Sequence, residues 1–143
     1  MKNLLLITFV SLVTLSAAVA QNVNHQVATQ SNTEVNPNAP KASWNLTVND
    51  LGDIPQSIPK EAQFILTNTG KEPLIIQSAK ASCGCTNTKF SQEPVLPGKS
   101  TTIAATYNAA APGQFSKSIT VITNASPNPV ILSIKGNVVA KQQ

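Results

Sequence analysis

The chain has 143 residues, with ten lysines, no arginine, six acidic residues, one histidine and two cysteines, for a formal net charge of +4. That length holds one domain, because two halves would each be too small to bury much of their surface. With 41% hydrophobic residues the composition excludes a membrane bundle and a charged disordered polymer.

Residues 1–20 read as a secretory signal peptide: Lys2 supplies the positive charge, an apolar run follows from Leu4 to Leu15, and Ala18-Val19-Ala20 is a small-x-small cleavage site. The run is shorter than the roughly 20 apolar residues that span a bilayer, so the expectation is export, cleavage near Ala20 and no membrane span in the mature chain. Removing Lys2 leaves nine lysines against six acids. These lysines are never adjacent, and clustered basic residues with arginine forks and stacking aromatics are missing, which argues against nucleic acid as a partner.

Residues 21–40 are rich in Asn, Gln, Thr and Ala, carry the single histidine, His25, and have no apolar periodicity; a disordered leader is expected there. Residues 41–140 then have the length of one immunoglobulin-like sandwich, and 141–143 form a tail. Short β-rich runs bounded by Pro, Gly and Asn replace helical periodicity throughout this stretch.

Trp44, Leu46 and Val48 alternate with polar residues and predict a first strand. Residues 49–53 contain Gly52 and predict a turn, and Pro55 and Pro59 place the next segment at an edge. Ala62, Phe64 and Leu66 form one face of a second strand, which ends at Asn68-Thr69-Gly70 with Gly70 as the turn residue. Residues 73–81 predict a third strand that runs into Ser82-Cys83-Gly84-Cys85-Thr86. A loop or short strand through Phe90 leads to a type II turn at Pro97-Gly98. Ile103, Ala105 and Tyr107 mark the next strand, and Pro112-Gly113 the next turn. A long strand alternates Phe115, Lys117, Ile119, Val121 and Thr123 with Ser118, Thr120 and Ile122. Val130, Leu132, Ile134 and Val138 define the last, with Gly136 read as a bulge. The sum is an all-β, antiparallel sandwich of about seven strands, with Gly70, Gly84, Gly98 and Gly113 as turn-shaping residues.

Several ordered strings carry a resemblance. They are residues 64–76 (FILTNTGKEPLII), Ser82-Cys83-Gly84-Cys85-Thr86, Pro94-Val95-Leu96-Pro97-Gly98-Lys99, Gly113-Gln114-Phe115-Ser116-Lys117 and Ile134-Lys135-Gly136. Together they resemble the bacterial domain of unknown function 1573 family, from Trp44 to Val138. The resemblance implies an immunoglobulin-like sandwich similar to the hydin and abnormal-spindle domains and, more distantly, to pilus chaperones, in an envelope or secreted setting. It implies no activity. The family tends to carry His-Asp-Phe-Gly where this chain has Asn49-Asp50-Leu51-Gly52, so any role of that histidine is absent.

The chemistry on offer is narrow. With His25 in the leader, residues 41–140 lack a histidine for general-base or triad catalysis, so a conventional enzyme is not expected. Asp50 and Asp53 sit in a glycine-containing segment where bonding to nearby backbone explains them better than a catalytic pair. No cofactor is expected. Trp44 and Tyr107 are read as core residues rather than a sugar-stacking platform. Asn45-Leu46-Thr47 and Asn124-Ala125-Ser126 match the N-glycosylation pattern, which in a bacterial-type sequence is read as coincidence.

Cys83-Gly84-Cys85 stays open among three readings: buried apolar side chains or a local disulfide that shapes a turn, a thiol–disulfide couple, and a two-thiolate Cu(I) site. A three-residue ring gains only about 1.5 kcal/mol from chain entropy, against roughly 3 for fifteen residues. An extended chain holds two such Cα atoms about 6.6–7.2 Å apart, so a bond requires a bend. The expected function is an exported, non-catalytic immunoglobulin-like module contacting protein partners in the envelope or outside the cell. The alternative is an envelope thiol-redox or Cu(I)-handling protein using Cys83 and Cys85.

Overall fold

A computed structural model of the chain describes residues 36–140; the expected signal peptide, most of the leader with His25, and the 141–143 tail lie outside them. Among the described residues no helix is long and apolar enough to cross a membrane. Eight strands form: β1 (Ala42–Trp44), β2 (Val48–Pro55), β3 (Lys60–Asn68), β4 (Ile76–Ala81), β5 (Thr86–Lys89), β6 (Ser100–Tyr107), β7 (Gly113–Thr123) and β8 (Val130–Val139). They make two four-stranded sheets, ordered β1-β3-β6-β5 and β2-β8-β7-β4.

Alternation builds the core. Ala62, Phe64 and Leu66 of β3 and Ile103, Ala105 and Tyr107 of β6 bury one sheet's inner face, and Ile119, Val121, Leu132 and Ile134 that of the other. A period of two puts each set on one side of its pleat, and the two sides seal against each other. Tyr107 and Phe115 stack across the sandwich with ring centroids 4.2 Å apart. Trp44 is half-buried and lies against the same core.

The strand count and one pairing differ from expectation. The alternation through Trp44, Leu46 and Val48 suggests one strand, yet the chain changes sheets between them. Ser43 pairs with Thr67 of β3, whereas Val48 pairs with Ser133 of β8. Asn45 manages the exit, because its backbone N–H donates to the Ile65 carbonyl at 3.1 Å and its Oδ1 accepts from the Ile65 N–H at 2.8 Å. Two residues on, the Thr47 carbonyl accepts from the Ser133 N–H at 2.8 Å. Since β2 and β8 run toward the same end, their pairing is parallel, the one parallel ladder among the described strands. Val48 faces outward and is 51% exposed.

Two further expectations are corrected. Residues 49–53 are a bulge inside β2, not a turn: the register with β8 shifts between Asp50 and Asp53, and Gly52 takes φ +62°. The β7–β8 register is unbroken through Gly136, so the bulge lies in the neighbouring strand. Gly136 makes room for it, since a Cβ there would sit 2.7 Å from the Gly52 carbonyl and 2.9 Å from the Phe115 ring. Of the expected leader, residues 36–40 are described: Asn36 closes a turn through the Asn38 and Ala39 N–H groups, and Pro40 is buried. That segment crosses directly over Gly70, where a Cβ would lie 2.7 Å from Pro40 Cα.

The strand directions define two rims. The lower holds residues 69–75, 90–99 and 124–129 and centres on the fully buried Asn68. The upper gathers residues 56–59, the cysteine turn 82–85, residues 108–112 and the end of β8.

Candidate functional site

At the upper rim the chain leaves β4, an edge strand of one sheet, and enters β5, an edge strand of the other. The crossing takes four residues. Thr86 N–H donates to the Cys83 carbonyl at 3.3 Å, closing a turn that brings the Cys83 and Cys85 Cα atoms to 5.3 Å, and the two sulfurs form a disulfide. This is the bend that an extended pair lacks. It needs no positive φ at Gly84, where a Cβ would meet nothing within 4 Å.

Hydrogen bonds that involve neither sulfur pin the turn as well. Ser82 N–H donates to the Ser118 carbonyl at 2.8 Å, Ser118 N–H donates to Ser82 Oγ at 3.3 Å, and Asn108 N–H donates to the Cys85 carbonyl at 3.0 Å. Thr88 Oγ1 ties β5 to β4 through the Ala79 carbonyl at 2.7 Å. The two cysteines are not equivalent. Both are half-buried, but only Cys85 packs against the hydrophobic core, and its Sγ lies 4.0 Å from Thr86 Oγ1.

The bracing continues along the rim. Ser57 N–H donates to the Ala109 carbonyl at 2.9 Å, and both residues adopt left-handed backbone, with φ of 64° and 51°. Such conformations cost a side-chain-bearing residue of order 1 kcal/mol and persist where surrounding contacts impose them. Ala109 is fully buried, so its neighbours fix it. Gln56 completes the series, donating its N–H to the Val139 carbonyl at 3.0 Å and its Nε2–H to the Ala110 carbonyl at 3.1 Å. Ile58 and Val139 stand out into solvent beside a shallow cavity of about 760 Å³.

Of the glycines expected to shape turns, Gly84 and Gly113 lie on this rim, and Gly70 and Gly98 on the opposite one. Gly98 has φ +74° in a turn closed by Lys99 N–H to the Leu96 carbonyl, and Gly113 has φ +108°. Gly70 has no positive φ; the close approach of residues 39–41 requires it. Asp50 and Asp53 are exposed on β2, and Asp53 also lines the cavity beside Ile58 and Val139. Asp50 Oδ1 accepts from the Gly52 N–H at 3.0 Å and Oδ2 pairs with Lys135 at 3.4 Å, while Asp53 accepts from Asn137 at 2.9 Å. The Gly52 N–H, and to a smaller degree Lys135, hold the Asp50 carboxyl below the usual aspartate range.

The two glycosylation-like asparagines have structural duties. Asn45 completes the β3 ladder, and Asn124 accepts from the Ile75 N–H and donates to the Pro73 carbonyl. Asn68, Asn108 and the left-handed pair have no signal in composition or periodicity. Only the proximity of Asn68 to Gly70 marks it as a turn residue.

Solved structures share the architecture. A protein of unknown function from Porphyromonas gingivalis W83 is similar at 15% identity and TM-score 0.62, over 71% of this chain and 48% of that one. The chain thus spans about half the length of that protein. The ASH/PapD-like domain 7 of human CEP192 matches at 9% identity and TM-score 0.59, over 74% and 90% of the two chains. The secreted serine protease VesC from Vibrio cholerae matches at 12% identity and TM-score 0.55, over 72% and 24%. No curated protein sequence matches significantly. At these identities the likeness shows an immunoglobulin-like, PapD-like fold. The sequence model of one family matches residues 42–138, nearly the whole described domain, and the chain therefore belongs to the family described as Protein of unknown function (DUF1573).

Proposed function

We propose that this chain is an exported, non-catalytic immunoglobulin-like module that binds protein partners in the bacterial envelope or outside the cell, with the upper rim as its contact surface. The observation that carries the reading is the rim itself. Three loops and the end of β8 are tied in series by backbone hydrogen bonds, beginning at a disulfide and ending at exposed Ile58 and Val139. A rigid loop set with an apolar tip loses little conformational freedom on binding. The disulfide supports an oxidising compartment, as does the signal-like stretch 1–20. The fold also occurs within a protease whose description is secreted.

The test follows the full-length chain in cells. Fractionation is expected to find a product shortened by about 20 residues outside the cytoplasm. A photo-crosslinker at Ile58 is expected to capture a specific protein that an Ile58→Asp competitor fails to displace. Unprocessed precursor confined to the cytosol, or capture unaffected by the aspartate competitor's wild-type counterpart, overturns the proposal.

A further inference from the structure

Beyond contact with a partner, we propose that Cys83–Cys85 is a thiol–disulfide exchange site that accepts electrons from a dithiol carried on an extended polypeptide, with Cys83 as the sulfur attacked.

The first ground is that the fold does not depend on the bond. The turn is held at Ser82, Cys83 and Cys85 by backbone hydrogen bonds that involve neither sulfur, so reduction is expected to leave the two thiols neighbours. A ring of three residues also removes little entropy from the unfolded chain. A disulfide that contributes little to stability and reaches solvent is the kind that exchanges.

The second is asymmetry. Cys85 lies on the core with the Thr86 hydroxyl beside its sulfur, whereas Cys83 does not pack against the core. An incoming thiolate therefore reaches Cys83, and Cys85 departs as a thiolate beside the Thr86 hydroxyl. The partner's second thiolate then attacks its own sulfur in the mixed disulfide and releases Cys83. Two electrons and two protons pass from the partner dithiol to the cysteine pair, one partner disulfide forms, and the transfer is stoichiometric.

The third is an open lane. β4 pairs with β7 only from Ile119 onward, and at Ser82 the chain bends away to the other sheet. Ser118 directs its N–H and carbonyl to the β4 side, so with period two Ser116 and Gln114 direct theirs the same way. Among the described residues no strand pairs with them on that side, because β8 occupies the other. A polypeptide added there continues the line of β4 and runs into Cys83. Exposed Lys80 and Lys89 flank the turn in sequence and discourage pairing between copies of the chain.

The experiment mixes the oxidised full chain with a reduced, unstructured peptide carrying two cysteines, and in parallel with reduced glutathione, followed by acid quench, alkylation and mass measurement. The peptide is expected to become oxidised one-for-one as the chain is reduced, with the strand circular dichroism unchanged. After reduction, Cys85→Ser is expected to form a mixed disulfide with the oxidised peptide about tenfold faster than Cys83→Ser does. Ser116→Pro removes one lane N–H and is expected to slow the peptide about tenfold while leaving glutathione unaffected. A chain that stays oxidised in excess peptide, or that unfolds on reduction, overturns the exchange proposal. Equal rates for the two cysteine variants overturn the assignment of Cys83, and an unchanged peptide rate in Ser116→Pro overturns the lane. None of these outcomes bears on export or on capture at Ile58.

Discussion

Buried without any exposure, the Asn68 amide meets four backbone groups: Oδ1 accepts from the Lys41 and Gly70 N–H groups, and Nδ2 donates to the Glu72 and Val95 carbonyls at 2.7 and 2.8 Å. Its own N–H and carbonyl bond to Lys99 and Gly98. Truncation removes all four bonds, three of them part-buried and one buried, and each such bond is worth about 0.5–1.5 kcal/mol net. Asn68→Ala is thus expected to lose about 3 kcal/mol in urea unfolding, with the Glu72 carbonyl and the Gly70 N–H losing this partner while the Val95 carbonyl keeps the Leu74 N–H. Asn68→Asp is expected to be worse at neutral pH than at acid pH, because a carboxylate faces the two carbonyls that the amide nitrogen satisfied. At the surface, Asp50 gives the opposite sign. Its folded pKa is lowered, first by the Gly52 N–H, so its contribution is present above the unfolded-state pKa and lost as pH falls through the folded one. An NMR titration is expected to place Asp50 below ordinary aspartate, and Lys135→Gln to leave most of that displacement intact.

Glycines separate the elements that are crowded from those that are merely tight turns. In the β2–β8 pair, the bulge at Gly52 occupies the volume that a side chain at Gly136 would need. Gly136→Ala presses on backbone and on the Phe115 ring, and overpacking of this kind costs typically 1–3 kcal/mol. Gly84 is open on all sides and has no positive φ, so Gly84→Ala is expected to be neutral or to stabilise by up to about 1 kcal/mol through the unfolded chain. Thermal unfolding of the two variants side by side checks the ranking; a larger loss at Gly84 contradicts this geometry. The same elements show what the sequence exposes to view. The alternations in β3, β6, β7 and β8 were legible because each strand buries one face, and Pro97-Gly98 because a type II turn demands its φ. The sheet change at Asn45, the parallel ladder and the bulge were not legible. Alternation runs unbroken through Trp44, Leu46 and Val48 whichever sheet they join, and Gly52 suits a turn or a bulge equally. At the candidate site the cysteine pair was visible, whereas the bracing of the rim depends on Ser57, Asn108 and Ala109, which come together only in the folded chain.

For the molecule as a whole, the question is where cohesion resides: in the seal between the sheets or in the covalent link at the rim. Leu132 is fully buried between the sheets, and truncating a buried leucine costs about 2–5 kcal/mol, from lost transfer energy and the cavity left behind. The disulfide closes three residues and its removal forgoes about 1.5 kcal/mol by the chain-entropy estimate. The Ser82–Ser118, Thr86–Cys83 and Asn108–Cys85 backbone bonds involve no sulfur and are expected to retain the turn when the sulfurs are gone. A Cys83→Ala, Cys85→Ala double variant is therefore expected to unfold in one cooperative transition with a slope like that of the wild type and a midpoint only slightly lower. Leu132→Ala is expected to lose more, about 2–5 kcal/mol. Hydrogen exchange locates the difference: removing the cysteines raises exchange at Thr86 and Asn108 and leaves β7 and β8 protected, while Leu132→Ala raises exchange across both sheets. Should the cysteine variant instead lose protection throughout β7 and β8, the small ring would be holding the sandwich together, and a rim that survives its own reduction would be ruled out.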